Sequence, residues 1–336
     1  MVKLYKIMFF YTMIFGTLMA ISSYSWMSMW LGLEINLLSI IPLMSKVNNI
    51  YPSEAALKYF LTQSLSSLMF LFSIILSSNL KELFILYNNS FLMLILNSAL
   101  LTKMGAAPFH FWFPEIIEGL KWMNCLIILT WQKIAPMILL MYNLNLTAFL
   151  SCIIILSSMI GGLMNINQIS LRKILAYSSI NHMGWMIAAM MYSPSVWMIY
   201  FIVYTTISFN IILMFNNLNI FFLNQLLFCL NANKMNKLLF MMNFMSLGGL
   251  PPFLGFLPKW LTINNLVYNN FYTLSFILII TTLISLFVYL RIMFSTLMFN
   301  STEMIFLKTK MNIFIIILNF ITTFSLIFYS YILTLF

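Results

Sequence analysis

Eleven stretches of roughly 20 mostly apolar residues follow one another along the chain, and each is long enough to cross the hydrocarbon core of a bilayer as a helix. They fall at about 4–23, 25–44, 57–78, 91–119, 121–142, 147–167, 170–191, 194–216, 237–266, 271–297 and 312–334. The longest polar connections left over, about 217–236 and 298–311, are too short for an independent core. Only 7% of the 336 residues are charged, whereas a soluble domain carries roughly 25%. Lipid is therefore the main solvent, and the expected fold is an all-α polytopic membrane protein with eleven transmembrane helices. Lys3 and Lys6 precede the first run as in a signal peptide, but the run is as long as a full span and no clear small-x-small cleavage site follows. It reads as a retained helix.

The net charge of +10 does not point to nucleic acid, because the basic residues are scattered along the chain. Orientation explains them better. With eleven spans and the N-terminus inside, Lys3, Lys6, Lys46, Lys58, Lys121, Arg172, Lys173, Lys234, Lys237, Arg291, Lys308 and Lys310 share the inner side, opposite Lys81 alone. The three cysteines, Cys125, Cys152 and Cys229, stand apart in apolar surroundings without metal or cluster spacing and read as structural filler. Trp26, Trp122 and Trp260 lie near span ends, as aromatic anchors do. The preference for Phe, Ile, Met, Asn, Tyr and Lys fits A/T-rich codons and an organelle genome, and no Arg/Ser-rich presequence is visible.

Lys103, Lys133 and Lys259 are left over from that assignment to sides, and Glu34 is a fourth anomaly. Glu34 is halfway along the second span, Lys103 within the fourth, Lys133 midway in the fifth and Lys259 within the ninth. Each costs about 2.5–3.5 kcal/mol on insertion scales, so such groups normally face a bundle interior or a water-filled path. A buried lysine poised between desolvation, which disfavours its charge, and a nearby carboxylate, which favours it, can take up and release a proton. Arginine cannot do this. His182, among Ser178, Ser179 and Asn181 in the seventh span, is a further relay candidate. His110 reads as structural, and Glu115 and Glu118 as interfacial.

The fourth and ninth stretches are too long for one straight span. At 1.5 Å per residue they would run about 43–45 Å against a core near 30 Å, and both are cut by Gly and Pro: Lys103-Met-Gly-Ala-Ala-Pro-Phe-His110 and Gly248-Gly-Leu-Pro-Pro-Phe-Leu-Gly-Phe-Leu-Pro-Lys259. Both should be discontinuous helices. Lys133 has Pro136 one turn on, which weakens the helix there. Each broken helix is the fourth of a set of five, and an odd-membered unit repeated in tandem inverts. The expected division is 1–142 as the first five-helix repeat, 143–297 as the second, and 298–336 as a connecting loop with the last helix.

These residues resemble the subunit 2 family of respiratory NADH:ubiquinone oxidoreductase (complex I), in its shortened animal form. The resemblance lies in Trp30–Leu38, Glu54–Gln63, Lys103–Glu115, Leu171–Trp185 and Ser246–Trp260, in that order, and covers nearly the whole chain. It implies an antiporter-like pump subunit of the mitochondrial inner membrane, with the N-terminus in the matrix and the C-terminus in the intermembrane space. It further implies a switchable Glu34–Lys103 ion pair, Lys133 as the central carrier and Lys259 in the second broken helix. Flavin, iron–sulfur clusters and quinone are then expected on other subunits, with no cofactor on this chain. The expected partners are lipids and the other membrane-arm subunits, especially antiporter-like subunit 4 and small subunits 4L and 6. Two alternatives remain: a stand-alone cation/proton antiporter, disfavoured by the lack of any intramembrane Asp, and a scaffold that moves no ions.

Overall fold

The computed structural model describes residues 4–45, 49–80, 88–230 and 234–298, together with 317, 319, 320 and 322. Among the described residues the chain forms fourteen α-helices, and β structure is limited to one isolated bridge between Ser170 and Phe222. They are α1 (Leu4–Ser22), α2 (Trp26–Met44), α3 (Ile50–Leu80), α4 (Asn88–Met104), α5 (Trp112–Gly119), α6 (Trp122–Leu129), α7 (Trp131–Met141), α8 (Thr147–Leu163), α9 (Leu171–Met190), α10 (Pro194–Leu218), α11 (Leu223–Leu230), α12 (Lys234–Gly248), α13 (Phe256–Tyr268) and α14 (Tyr272–Met298). Each of the first ten apolar stretches coincides with one helix or a consecutive pair. The eleventh, along with Lys3, Lys46, Lys81, Lys308 and Lys310 and the side chains of Cys229 and Lys234, lies outside the described residues, apart from the four helical positions beyond 316.

Among the described residues, six segments are long and apolar enough to cross a membrane: Leu4–Ser22, Trp26–Met44, Ile50–Ser78, Trp122–Met141, Pro194–Leu218 and Tyr272–Thr296. Large apolar side chains such as Tyr11, Phe15, Leu65, Leu68, Phe72, Phe276, Leu283 and Phe287 stand exposed along them. So much exposed apolar surface is a liability in water and the normal outer face of a bundle in lipid.

The chain divides into two compact units, Met1–Ile153 and Ile154–Phe336. In the first, α2 packs on α1 and α3, α3 on α4 and α5, and α4 on α7. The α1–α2 pair is so close that a Cβ on Gly32 would sit 2.6 Å from the backbone nitrogen of Ala20. Lipid offers no hydrophobic drive between helices, so small residues that allow close van der Waals contact take over that task. In the second unit α9 packs against α10, α13 and α14, and α12 lies on α10 and α14. Nearly all of α9 is buried although it carries Ser178, Ser179, Asn181 and His182.

Several expectations need correction. Trp122 is 2% exposed and belongs to the core rather than to an interfacial belt. Cys152 is exposed, while Cys125 is buried with its thiol directed at the carbonyls of Ile117 and Leu120. The stretch 217–236 is no plain connection, for it holds α11, and α3 begins at Ile50, well before the apolar run at 57.

Candidate functional site: two interrupted helices and their buried lysines

Both Gly/Pro segments interrupt their helices, and they do so in the same way. In the first, Gly105 adopts φ +74°, a left-handed conformation that glycine enters without Cβ strain. Its N–H donates to the carbonyls of Leu101 (3.0 Å) and Thr102 (3.1 Å), and the Ala106 N–H closes back on Leu101 (3.1 Å). A cis Ala107–Pro108 peptide follows, and α5 resumes at Trp112. In the second, Gly249 adopts φ +75°, the Leu250 N–H returns to the Met245 carbonyl (3.3 Å), a cis Pro251–Pro252 peptide follows, and α13 resumes at Phe256. The glycine, the cis proline and the helix restart keep the same spacing in both.

The lysines sit on opposite sides of these breaks. Lys103 lies in the last turn of α4, before the first break, and is 7% exposed. Lys259 lies in the first turn of α13, after the second, and is also 7% exposed. Its ammonium reaches back across the gap, donating to the carbonyls of Gly248 (2.9 Å) and Leu247 (3.5 Å), which the broken helix leaves without intrahelical partners. A cation at a helix C-terminus also meets the negative end of the macrodipole. Its chain lies so close over Gly249 that a Cβ there would approach Cδ to 2.7 Å. The Trp185 ring of α9 lies 5.8 Å from the ammonium.

Lys103 is held differently. Among the described residues no ion pair at contact distance joins it to Glu34, which is half-buried on α2. Lys103 lines a small cavity of about 10 Å³ with Leu33, Asn36, Leu37, Tyr59, Gln63, Gln132 and Pro136. Side chains from three helices are tied together in its wall. The Tyr59 hydroxyl donates to Gln132 Oε1 (3.3 Å), and Gln132 Nε2 donates to Asn36 Oδ1 (2.8 Å). Gln63 Nε2 donates to the Lys103 carbonyl (3.3 Å).

Lys133 is the most deeply buried of the described lysines, 1% exposed. The fifth stretch is interrupted at Thr130, between α6 and α7, six residues ahead of Pro136. Lys133 thus stands between an interruption and a proline, its own N–H donating to the Thr130 carbonyl at 3.3 Å. Its ammonium lies 5.3 Å from the ring centre of Phe113, the residue whose side chain also covers Gly105 at the first break. His182 is 5% exposed and shares its Nδ1 with the Tyr200 hydroxyl at 2.9 Å. Trp185 lies three residues on along α9, so one face of that helix carries both His182 and the ring beside Lys259. His110 shares Nδ1 with the Pro108 carbonyl (3.2 Å) and stacks near Phe111, a structural role at the break. Lys58, 44% exposed, bridges Glu54 (3.2 Å) and Glu115 (2.9 Å).

The structure therefore gathers Glu34 and Lys103 in the first unit, and Lys259 with the His182-bearing helix in the second. Sequence reading missed Asn36, Tyr59, Gln63 and Gln132. The available signal was weak: amides in apolar spans, two residues after Glu34 and directly before Lys133.

A family described as NADH:quinone oxidoreductase/Mrp antiporter, transmembrane, matches residues 23–285. NADH-ubiquinone oxidoreductase chain 2 of Anopheles gambiae is 48% identical over 98% of both chains. The chain 2 of Locusta migratoria is 42% identical over 96% of this chain and 95% of its own. Among solved structures, a chain of respiratory complex I from Thermus thermophilus superposes with a TM-score of 0.84 at 22% identity, over 96% of this chain and 79% of that one. The chain belongs to the NADH-ubiquinone oxidoreductase chain 2 family, within the NADH:quinone oxidoreductase/Mrp antiporter group of membrane proteins.

Proposed function

We propose that this chain is a core proton-translocating subunit of complex I, passing protons through Glu34, Lys103 and Lys133 in the first unit and His182 and Lys259 in the second. It works as part of the NADH:ubiquinone reductase and carries no redox chemistry of its own. Family membership supports the setting: the mitochondrial inner membrane, with the matrix at the N-terminus, and membrane-arm neighbours that include subunits 4, 4L and 6. The matching spacing from left-handed glycine to helix restart in the two breaks supports a pair of inverted five-helix repeats, 1–142 and 143–297, within eleven spans. Non-helical backbone at membrane depth is tolerated where protein or water covers it.

One observation carries the reading. Lys133 is 1% exposed on a helix already opened at Thr130 and lacking the Pro136 donor. A permanently charged group gains nothing from such a site, whereas one that alternates between ammonium and amine can stay there. In its neutral form Lys133 accepts a proton from the Lys103 side. In its charged form it yields the proton onward.

The test is proton pumping by the assembled complex carrying Lys103→Met or Lys133→Met. Each should lose most NADH-driven proton uptake. Wild-type protons per NADH in either variant would establish a scaffold role instead.

A further inference from the structure

We propose that Gln132 is a positioning residue for Lys103, building with Tyr59 and Asn36 a pocket for one water that holds the Lys103 amine away from Glu34. The inference rests on the reading of Lys103 as a proton carrier. Gln132 comes from α7, Tyr59 from α3 and Asn36 from α2, so the wall joins three helices around the end of α4. The hydrogens of these three side chains define what the pocket offers. The Tyr59 proton is committed to Gln132 Oε1, which leaves the phenol oxygen as an acceptor. One Gln132 N–H is committed to Asn36 Oδ1, which leaves its second N–H and the Asn36 amide as donors.

A water needs about 10–15 Å³ and two to four polar partners. The cavity has about 10 Å³, and Lys103, Gln132, Asn36 and Tyr59 all line it, so amine, amide and phenol groups are available to one water there. Such a water accepts from Lys103 and donates to Tyr59. Glu34 is not part of this wall, and no contact ion pair joins it to Lys103. Lys103 therefore has two competing partners: the water pocket, set by Gln132, and the carboxylate of Glu34. Removing the pocket's polar frame should tip the amine toward Glu34 and slow its release of protons.

The experiment uses the assembled complex with Gln132→Met and, because that change could impair assembly, Tyr59→Phe, which keeps the ring. High-resolution cryo-EM maps of the unchanged complex should show density within hydrogen-bond distance of Lys103 Nζ and Tyr59 Oη. In Gln132→Met the density should vanish, Lys103 and Glu34 should close to contact, and NADH-driven proton uptake should fall about tenfold, with a smaller fall of about threefold in Tyr59→Phe. NADH oxidation by a water-soluble acceptor should not change, whereas the solvent deuterium isotope effect on proton uptake should, which a purely structural role would leave alone. A dry pocket in the unchanged complex overturns the inference, as does full proton uptake with an open Lys103–Glu34 gap in either variant. If those results occur while Lys103→Met abolishes pumping, the inference alone falls. If Lys103→Met pumps normally, the relay reading falls as well.

Discussion

The two broken helices share a backbone and differ in how they hold their charge. In each, a left-handed glycine ends the first half, a cis proline follows three residues later, and the second half restarts four residues after that. Lys259, after its break, folds back onto carbonyls that the break itself exposes, so its main-chain partners are built into the interruption. Lys103, before its break, faces side chains borrowed from α2, α3 and α7. One interruption carries its own acceptors; the other presents its lysine to partners that can be exchanged. Conformational switching is easier to build on the second kind, because side chains and waters move at less cost than helix carbonyls.

The comparison can be broken most severely at Gly255. A Cβ there would lie 1.7 Å from the Ser246 carbonyl oxygen, which cannot move without unmaking the second break. Phe111, six residues past Gly105 as Gly255 is six past Gly249, is 73% exposed. Gly255→Ala should cost about 4 kcal/mol or more, in the range reserved for severe clashes, and abolish assembly of the complex on native gels. Phe111→Ala should assemble.

A milder pair of changes sharpens the contrast. Gly105→Ala and Gly249→Ala each force a non-glycine residue into left-handed backbone, at about 1–2 kcal/mol. Only Gly249→Ala also pushes its Cβ into a lysine, Lys259, whereas the Cβ at 105 meets the Phe113 side chain at 3.0 Å. Similar losses of thermal stability are expected, with a several-fold greater loss of proton uptake for Gly249→Ala. The smallest effect should come from Lys58→Met. Its two ion pairs are exposed, and such pairs add little. Assembly and proton uptake should match the unchanged complex.

Much of this architecture is legible in the sequence because its causes are local. Apolar runs mark helices from their length alone, Gly and Pro mark the two interruptions, and Glu34, Lys103, Lys133 and Lys259 are conspicuous because charge is so rare in the spans. What stays hidden depends on other parts of the chain. The Tyr59–Gln132–Asn36 chain joins residues up to 96 positions apart, and no pattern within one span announces it. The acceptors of Lys259 are backbone carbonyls, which every residue has and no sequence motif marks. Pro136 foretells a weak helix but not that it opens at Thr130, since the lost donor and the clash strain the preceding turn and the chain yields where packing permits. The burial of Trp122 and the exposure of Cys152 were settled by helix neighbours, which outweigh residue type.

The relay is tested most directly by Lys133→Arg. Arginine keeps the positive charge, and with it any electrostatic or packing role, but it cannot give up its proton. In assembled complex reconstituted into vesicles, proton uptake per NADH oxidised should fall as far with Lys133→Arg as with Lys133→Met. If the arginine variant assembles and pumps at the unchanged ratio, Lys133 does not hand protons along and the relay through this chain is wrong.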